Sequence, residues 1–420
     1  MRSDGADDAV VTGMAVLTAL GDDLTVFGDA LMAGDSGVRA VGRDGEGPPV
    51  ADLGPFAPEE WADRFSGDES EVRALRPLMS RVARPTLTGA SAALAAVRHA
   101  RLEPGWGHDA ALVVAGGGLA QRHQADVSGA YGRTGRLRAS YALTALDVDA
   151  VGAISELTGV RGEGWTAGAA SASGTVALIQ AARAISAGWR ERVLVVAPSA
   201  DPAPADVEAM RRAGAHADGD PGLPPQLLCR PFDRRRRGFV RGEGAAAMVL
   251  ESQKAAERRG VGALARISGH GQRLDARRGT RPEVRGQVEA MRAALDAAGA
   301  SPRDVDYVNA HGTGSHVGDR VEAASLRAVF GTRSGPLLNS TKPLTGHCLS
   351  AAGLVEAVAV IAQMRVGACH PNPTLTDPVE PGLAWVGDQP VPHRIRAALS
   401  NSFAFGGLSA SVVLRAVDGP

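Results

Sequence analysis

The stretch RGQVEAMRAALDAAGASPRDVDYVNAHGTG, Arg285 to Gly314, carries a helix, a turn and a strand in succession. Val288, Met291, Leu295 and Ala298 recur at the spacing of one helix face. VDYV then reads as a strand, and His311 follows it directly. Gly312 and Gly314 let the backbone turn sharply there, leaving Thr313 and Ser315 as short hydroxyl donors beside the imidazole. A lone histidine is more often structural than catalytic. One at a strand end, in a loop of glycine and threonine, is better placed for function.

The same alternation extends through the rest of the chain. Short apolar runs ending in small residues recur as AVVTG (9–13), AALVVAGGG (110–118) and RVLVVAPSA (192–200), with alanine-rich helical stretches such as LTGASAALAAVRHA (87–100) and SGTVALIQAARAISAG (173–188) between them. Near-continuous apolar strands alternating with helices predict buried sheets covered by helices on both faces, an α/β fold. The Gly, Pro and Asp-rich segments 43–60 and 215–226 read as surface excursions. A soft boundary near residue 260, after GAAAMVLESQKAAERRG, divides the chain into halves 1–260 and 261–420.

Bulk properties exclude several classes of function. The 420 residues are 44% hydrophobic and 22% charged, as in an ordinary globular protein. The net charge of −1 gives no global attraction to nucleic acid or to an anionic membrane. At 4% aromatic residues there is too little material for a base-stacking surface. The N-terminus lacks an apolar signal region, and no run of about eighteen apolar residues is found anywhere in the chain. Cys229, Cys348 and Cys369 are odd in number and lack metal-type spacing, so they read as reduced thiols of a cytoplasmic protein.

Three further segments carry chemistry. In WTAGAASASGTVALIQAAR, Trp165 to Arg183, Ser171 stands at the mouth of an apolar helix. Its hydroxyl either caps free N–H groups or sits where the helix end favours developing negative charge. No G-x-S-x-G is present, so this is not a hydrolase nucleophile elbow. NSTKPLTGHCLSAAGLVEAV places Lys342 and His347 in one loop, ahead of a helix carrying Glu356. Two histidines in such loops, with a lysine and a partner carboxylate, suit binding an anion or polarising a carbonyl. Metal ligation is the competing idea, but no third ligand lies at short spacing. NSFAFGGLSASVVL (401–414) is a glycine turn between strands, with Phe403 and Phe405 ready to line an apolar pocket.

Taken together, VVTGMAVLTALGDD, RPFDRRRRGFVRGEGAAAMVLE, VNAHGTGSHVGDRVEAASLRAVFG, STKPLTGHCLSAAGLVEAV and NSFAFGG resemble the β-ketoacyl-ACP synthases (ketosynthases) of type II fatty-acid and polyketide systems, nearly end to end. The resemblance implies the thiolase fold: five layers, α-β-α-β-α, from two pseudo-duplicated halves. The first half would carry the nucleophile position and the second both histidine motifs. His311 and His347 would drive malonyl decarboxylation and stabilise the enolate. Lys342, paired with Glu356, would support the electrostatics, and Thr313 and Ser315 would hold the phosphopantetheine arm. The backbone N–H groups of residue 171 and Phe405 would form the oxyanion hole, with Phe405 also gating the acyl pocket. An acyl carrier protein is the implied partner, on a basic rim for which Arg73, Arg76, Arg211 and Arg212 are candidates. The implied assembly is a homodimer, or a heterodimer with a ketosynthase or chain-length-factor subunit. No metal, nucleotide or redox cofactor is implied.

One departure matters most. Where the family reads roughly A-C-x-S-G, this chain reads A-S-A-S-G, so Ser171 occupies the nucleophilic cysteine's position. A thiol ionises readily at a helix end, whereas a serine hydroxyl needs a base. Four accounts follow: a deliberate replacement that traps substrate, a natural variant that transfers acyl groups or decarboxylates without efficient condensation, a non-catalytic chain-length-factor-like partner, and a serine hydrolase. Chain-length factors usually lose the histidine motifs as well, and both remain here. Arg277 and Arg278 stand where relatives often carry an aromatic–histidine pair, and Leu408 and Ser409 replace a common Thr-Asn.

Overall fold

In a computed structural model, which describes residues 8–41, 47–54, 56, 73, 76–78, 81–220, 222–332 and 335–417, the chain folds around ten principal strands. The first half supplies β1 (Ala9–Thr18), β2 (Ala111–Ala115), β3 (Gly164–Ala167), β4 (Arg192–Ala197) and β5 (Gly244–Ser252). The second supplies β6 (Ala265–Leu274), β7 (Tyr307–Asn309), β8 (Leu337–Asn339), β9 (Ala397–Ala404) and β10 (Leu408–Arg415). The spatial order is β8-β7-β9-β10-β6-β1-β5-β4-β2-β3. Each half thus repeats one order, first-fifth-fourth-second-third, with the same pattern of antiparallel and parallel neighbours. The halves meet where β1 pairs β6 over Ala9–Val11 alone.

Helices α1 (Arg84–His99) and α2 (Val148–Thr158) cover the outer face of the first half-sheet; α4 (Val284–Ala297) and α5 (Gly318–Phe330) cover the second. Between the two half-sheets lie α3 (Ser173–Ser186) and α6 (Ala352–Val366), giving the five layers. β1 and β5 are buried along their whole length, as strands covered on both faces must be. The 18 residues Leu349–Val366 are long and apolar enough to cross a membrane by composition, a run that its interrupting Glu356 and Gln363 conceal in the sequence. Packing between the two half-sheets accounts for that apolarity on all sides.

The two central helices cross at glycines. A Cβ on Gly174 would lie 2.6 Å from Leu354 N, and one on Gly353 would lie 2.7 Å from Thr175 N. No side chain fits between backbones so close, and this contact brings the two helix starts together. Each start follows a short 3₁₀ turn, Ala170–Ala172 and Leu349–Ala351, whose first residue is strained at φ 46° and 50°. Ser350 is therefore the internal counterpart of Ser171. Segment 215–226 is less of an excursion than its composition predicts: Ala215, His216 and Ala217 are buried against Phe239 and Val240. Within 43–60, Gly47–Ala51 forms a strand beside Arg241–Gly242, and the rest falls largely outside the described residues.

Candidate active site

Ser171 Oγ lies 3.0 Å from His347 Nε2, across 176 residues of chain. The His311 and His347 rings meet nearly edge-on, 5.5 Å between centroids. His347 also packs edge-on against Phe239 at 5.2 Å, and His311 against Phe403 at 6.1 Å. These side chains line a cavity of about 410 Å³ together with Thr313, Ser315, Ser350 and Phe405. Phe405, 45% exposed, sits at the mouth in the three-residue hairpin Phe405–Gly407 between β9 and β10.

The His311 loop is held by its backbone. Glu322 accepts the N–H groups of His311 (2.7 Å) and Gly312 (2.8 Å). Asp319 accepts those of Thr313, Gly314 and Phe232. Arg236, second-last of four consecutive arginines, donates to the carbonyls of Ser315 (3.0 Å) and His316 (2.6 Å). Gly312 cannot carry a side chain, because a Cβ would sit 2.6 Å from the Phe232 ring. Asp319 and Glu322 escape the sequence reading. Their signal is two acids three residues apart where a helix starts after a glycine loop. Burial pushes Glu322 up to about 8 and Asp319 to about 6, against the pull of the N–H groups they accept.

Lys342 Nζ donates to the His311 carbonyl and to Glu356, all fully buried behind the histidines. The carbonyl contact is one the sequence does not suggest. His347 is fixed by its own N–H to Val240 O (2.7 Å) and by its carbonyl from Gly242 N–H (2.9 Å).

Burial, then the Lys342 charge, holds both imidazoles well below their ordinary range, so they are neutral near neutral pH. In both rings Nδ1 is sealed from solvent with no hydrogen-bond partner. A buried N–H without an acceptor is costly, whereas a lone pair there costs less, so burial of Nδ1 favours the tautomer with its proton on Nε2. In that tautomer His347 donates to Ser171 Oγ and has no lone pair on Nε2 to take the serine proton, and among the described residues no carboxylate sits behind Nδ1 as in a catalytic triad. The cysteines offer no substitute nucleophile: burial pushes all three thiols up to about 12. Among the described residues no cluster of His, Cys, Asp and Glu is arranged to hold a metal ion.

Residues 6–256 match the β-ketoacyl synthase N-terminal domain, and residues 264–376 match its C-terminal domain. The chain belongs to the β-ketoacyl synthase family. This ketosynthase-family enzyme is 33% identical, over 98% of its own length and 97% of the relative's, to the polyketide biosynthesis malonyl-ACP decarboxylase PksF of Bacillus subtilis (strain 168). It superposes on the ishigamide ketosynthase/chain length factor with a TM-score of 0.86 at 25% identity, covering 99% of this chain and 100% of that one. A type II ketosynthase solved with its acyl-carrier protein shares the fold at a TM-score of 0.85 and 23% identity, over 98% and 100% of the two chains.

The remaining candidates divide between mouth and surface. Ser409 is buried in β10, paired with Phe403 across the hairpin. Arg277 is exposed and pairs with Glu283 at 2.6 Å. Arg73 and Arg76 are exposed. Arg211 and Arg212 share Glu208 at 2.8 and 2.7 Å, and Arg211 also reaches Asp218.

Proposed function

We propose that this enzyme decarboxylates malonyl thioesters carried on an acyl carrier protein and releases acetyl-carrier protein rather than a condensation product. The observation that carries the reading is the Ser171–His347 contact. A serine hydroxyl meets His347 at 3.0 Å and the His311 ring stands edge-on beside it, an arrangement that suits stabilising an enolate better than activating a nucleophile. The likeness to a protein named as a malonyl-ACP decarboxylase supports it.

Thr313 and Ser315 hold the phosphopantetheine arm, and the thioester carbonyl enters between the two histidines. The bond from C2 to the carboxylate breaks, carbon dioxide leaves, and the electron pair moves through C2–C1 onto the carbonyl oxygen. Nε2–H of His311 and of His347 stabilise that oxyanion as its charge grows, His347 transferring its hydrogen bond from Ser171. The electron pair returns from oxygen to C2 as C2 takes a proton from a water molecule, and the hydroxide left behind is neutralised by a proton from bulk solvent. The thioester carbonyl itself accepts the electron pair, so we assign no metal, nucleotide or redox cofactor. The backbone N–H groups of residue 171 and Phe405 complete the oxyanion site in this scheme, and Lys342 with Glu356 fixes the His311 backbone. The exposed apolar residues Tyr131, Leu137, Leu143, Leu146 and Val148, within eighteen positions of one another, favour a dimer. The three buried free thiols favour a cytoplasmic location.

The test is mass analysis after incubation with malonyl-loaded carrier protein. Conversion to acetyl-carrier protein with no adduct on Ser171 is the expected result; intact malonyl-carrier protein, or a stable acyl-enzyme, overturns the reading. Ser171→Cys should form an acyl thioester with acyl-carrier protein and yield a β-ketoacyl product, because a thiol at a helix start ionises without a base and leaves more readily. A serine form that condenses equally well would refute the assignment.

Because both imidazole pKa values lie below the ordinary 6.5, the neutral rings persist as pH falls through that value. The rate of carbon dioxide release should therefore show no inflection near 6.5, and NMR titration should show both rings unprotonated there. A ring titrating near 6.5 would mean the site is open to water.

A further inference from the structure

The carrier protein's docking face can be located by which cations the chain leaves uncompensated, an inference that rests on the carrier-protein reading above. The arginines of the helix Pro204–Arg212, beside the cavity, are poor candidates, since Arg211 and Arg212 are both already engaged by Glu208. The opposite rim differs. Gly279, Thr280 and Pro282 of the loop after β6 line the cavity. That loop is tied to the mouth hairpin by Gly406 N–H to Gly279 O and Asp275 N–H to Gly407 O, both 2.9 Å. It carries Arg277, Arg278 and Arg281, all exposed. Arg277 is taken by Glu283, and neighbouring Arg273 and Arg285 share Glu289. Arg278 and Arg281 have no acidic partner among the described residues. Beside them Leu274 is 68% exposed and pairs in register with Leu408, next to Phe405 at 45%. The rim is thus an apolar centre flanked by two uncompensated cations, at the entrance through which a tethered substrate must pass.

We propose that Leu274 and Phe405, with Arg278 and Arg281, form the docking surface for the carrier protein, whose side chains supply the carboxylates. A tethered substrate reaches the histidines only if its carrier sits at the mouth, and two unpaired guanidinium groups there attract an acidic partner and orient it. The sequence substitution of arginine for an aromatic–histidine pair in this loop then has a physical consequence: it adds positive charge at the rim.

The test compares malonyl-carrier protein, malonyl-phosphopantetheine and malonyl-pantetheine as substrates of the full-length enzyme and of the Arg278→Glu/Arg281→Glu variant. The expected result is a KM for malonyl-carrier protein raised about tenfold, as when two exposed attractive pairs turn repulsive, with kcat and both carrier-free substrates unchanged. The difference should shrink at about 1 M salt, where the screening length is about 3 Å. A KM raised equally for malonyl-phosphopantetheine would mean that the arginines read the phosphate, and would overturn the proposal. So would an unchanged KM for the carrier protein. Binding of holo-carrier protein without a malonyl group, measured directly on both enzymes, decides the docking face even if no substrate loses carbon dioxide. That last outcome would defeat the decarboxylase reading alone.

Discussion

His311→Ala and His347→Ala should each lower carbon dioxide release from malonyl-carrier protein by about 10²- to 10³-fold, the usual cost of removing one preorganised donor from an oxyanion site. The loss should fall on kcat, because the charge that the N–H groups meet exists only in the transition state. The double variant should lose less than the product of the two single losses, since both donors serve one oxygen. Glutamine at either position places an amide N–H near that of Nε2 and should recover part of the rate; alanine cannot. The measurement is turnover of malonyl- to acetyl-carrier protein, with unfolding curves to show that each variant is folded. Unchanged turnover in both alanine variants would remove the histidines from the mechanism.

Lys342→Ala should destabilise the fold by about 3–5 kcal/mol, because it strands Glu356 as an unpaired charge in a fully buried site. It also removes the donor to the His311 carbonyl, so carbon dioxide release should fall with stability. Burial already pushes the Glu356 carboxyl up, and the ammonium opposes that shift. Without Lys342 the carboxyl takes a proton more readily, and the stability loss should be smaller at low pH than at high pH. Replacing both partners, Lys342→Met with Glu356→Leu, should restore much of the stability but not the activity, since it removes the stranded charge without rebuilding the support for His311. Denaturant midpoints of the three variants decide this. A single variant as stable as the unmutated protein would mean the pair contributes nothing.

Both predictions depend on features of unequal legibility. The alternation of apolar strands and alanine-rich helices is local, and so are the turns at Gly312 and Gly314, where a side chain would strike Phe232 or Gly238. His311, Lys342, His347 and Glu356 sit in short motifs whose residue types suit anion chemistry. Ser171, at the position where the resemblance implies a nucleophilic cysteine, is likewise a single letter.

What those motifs do to one another is not local. Four successive arginines look like a basic patch in sequence. In the fold Arg234 pairs with Asp377, Arg235 with Asp233 and Arg237 with Asp220, while Arg236 reaches the Ser315 and His316 carbonyls. Glu208 occupies Arg211 and Arg212 as well, at the i,i+3 and i,i+4 spacing of one helix, a pairing that helix periodicity makes legible where composition alone suggests two free cations.

The amino-acid sequence by itself determined the α/β layering, the loops that present the histidines and the serine at position 171, because each rests on periodicity, turn chemistry or residue type within a few positions. Only the tertiary structure decided that Ser171 meets His347, that burial keeps both rings neutral, and that Arg278 and Arg281 have no acidic partner among the described residues. Those properties depend on burial and on partners far along the chain. The first of them follows the contact of two helices at Gly174 and Gly353, which brings together the helix start that carries Ser171 and the one that follows His347.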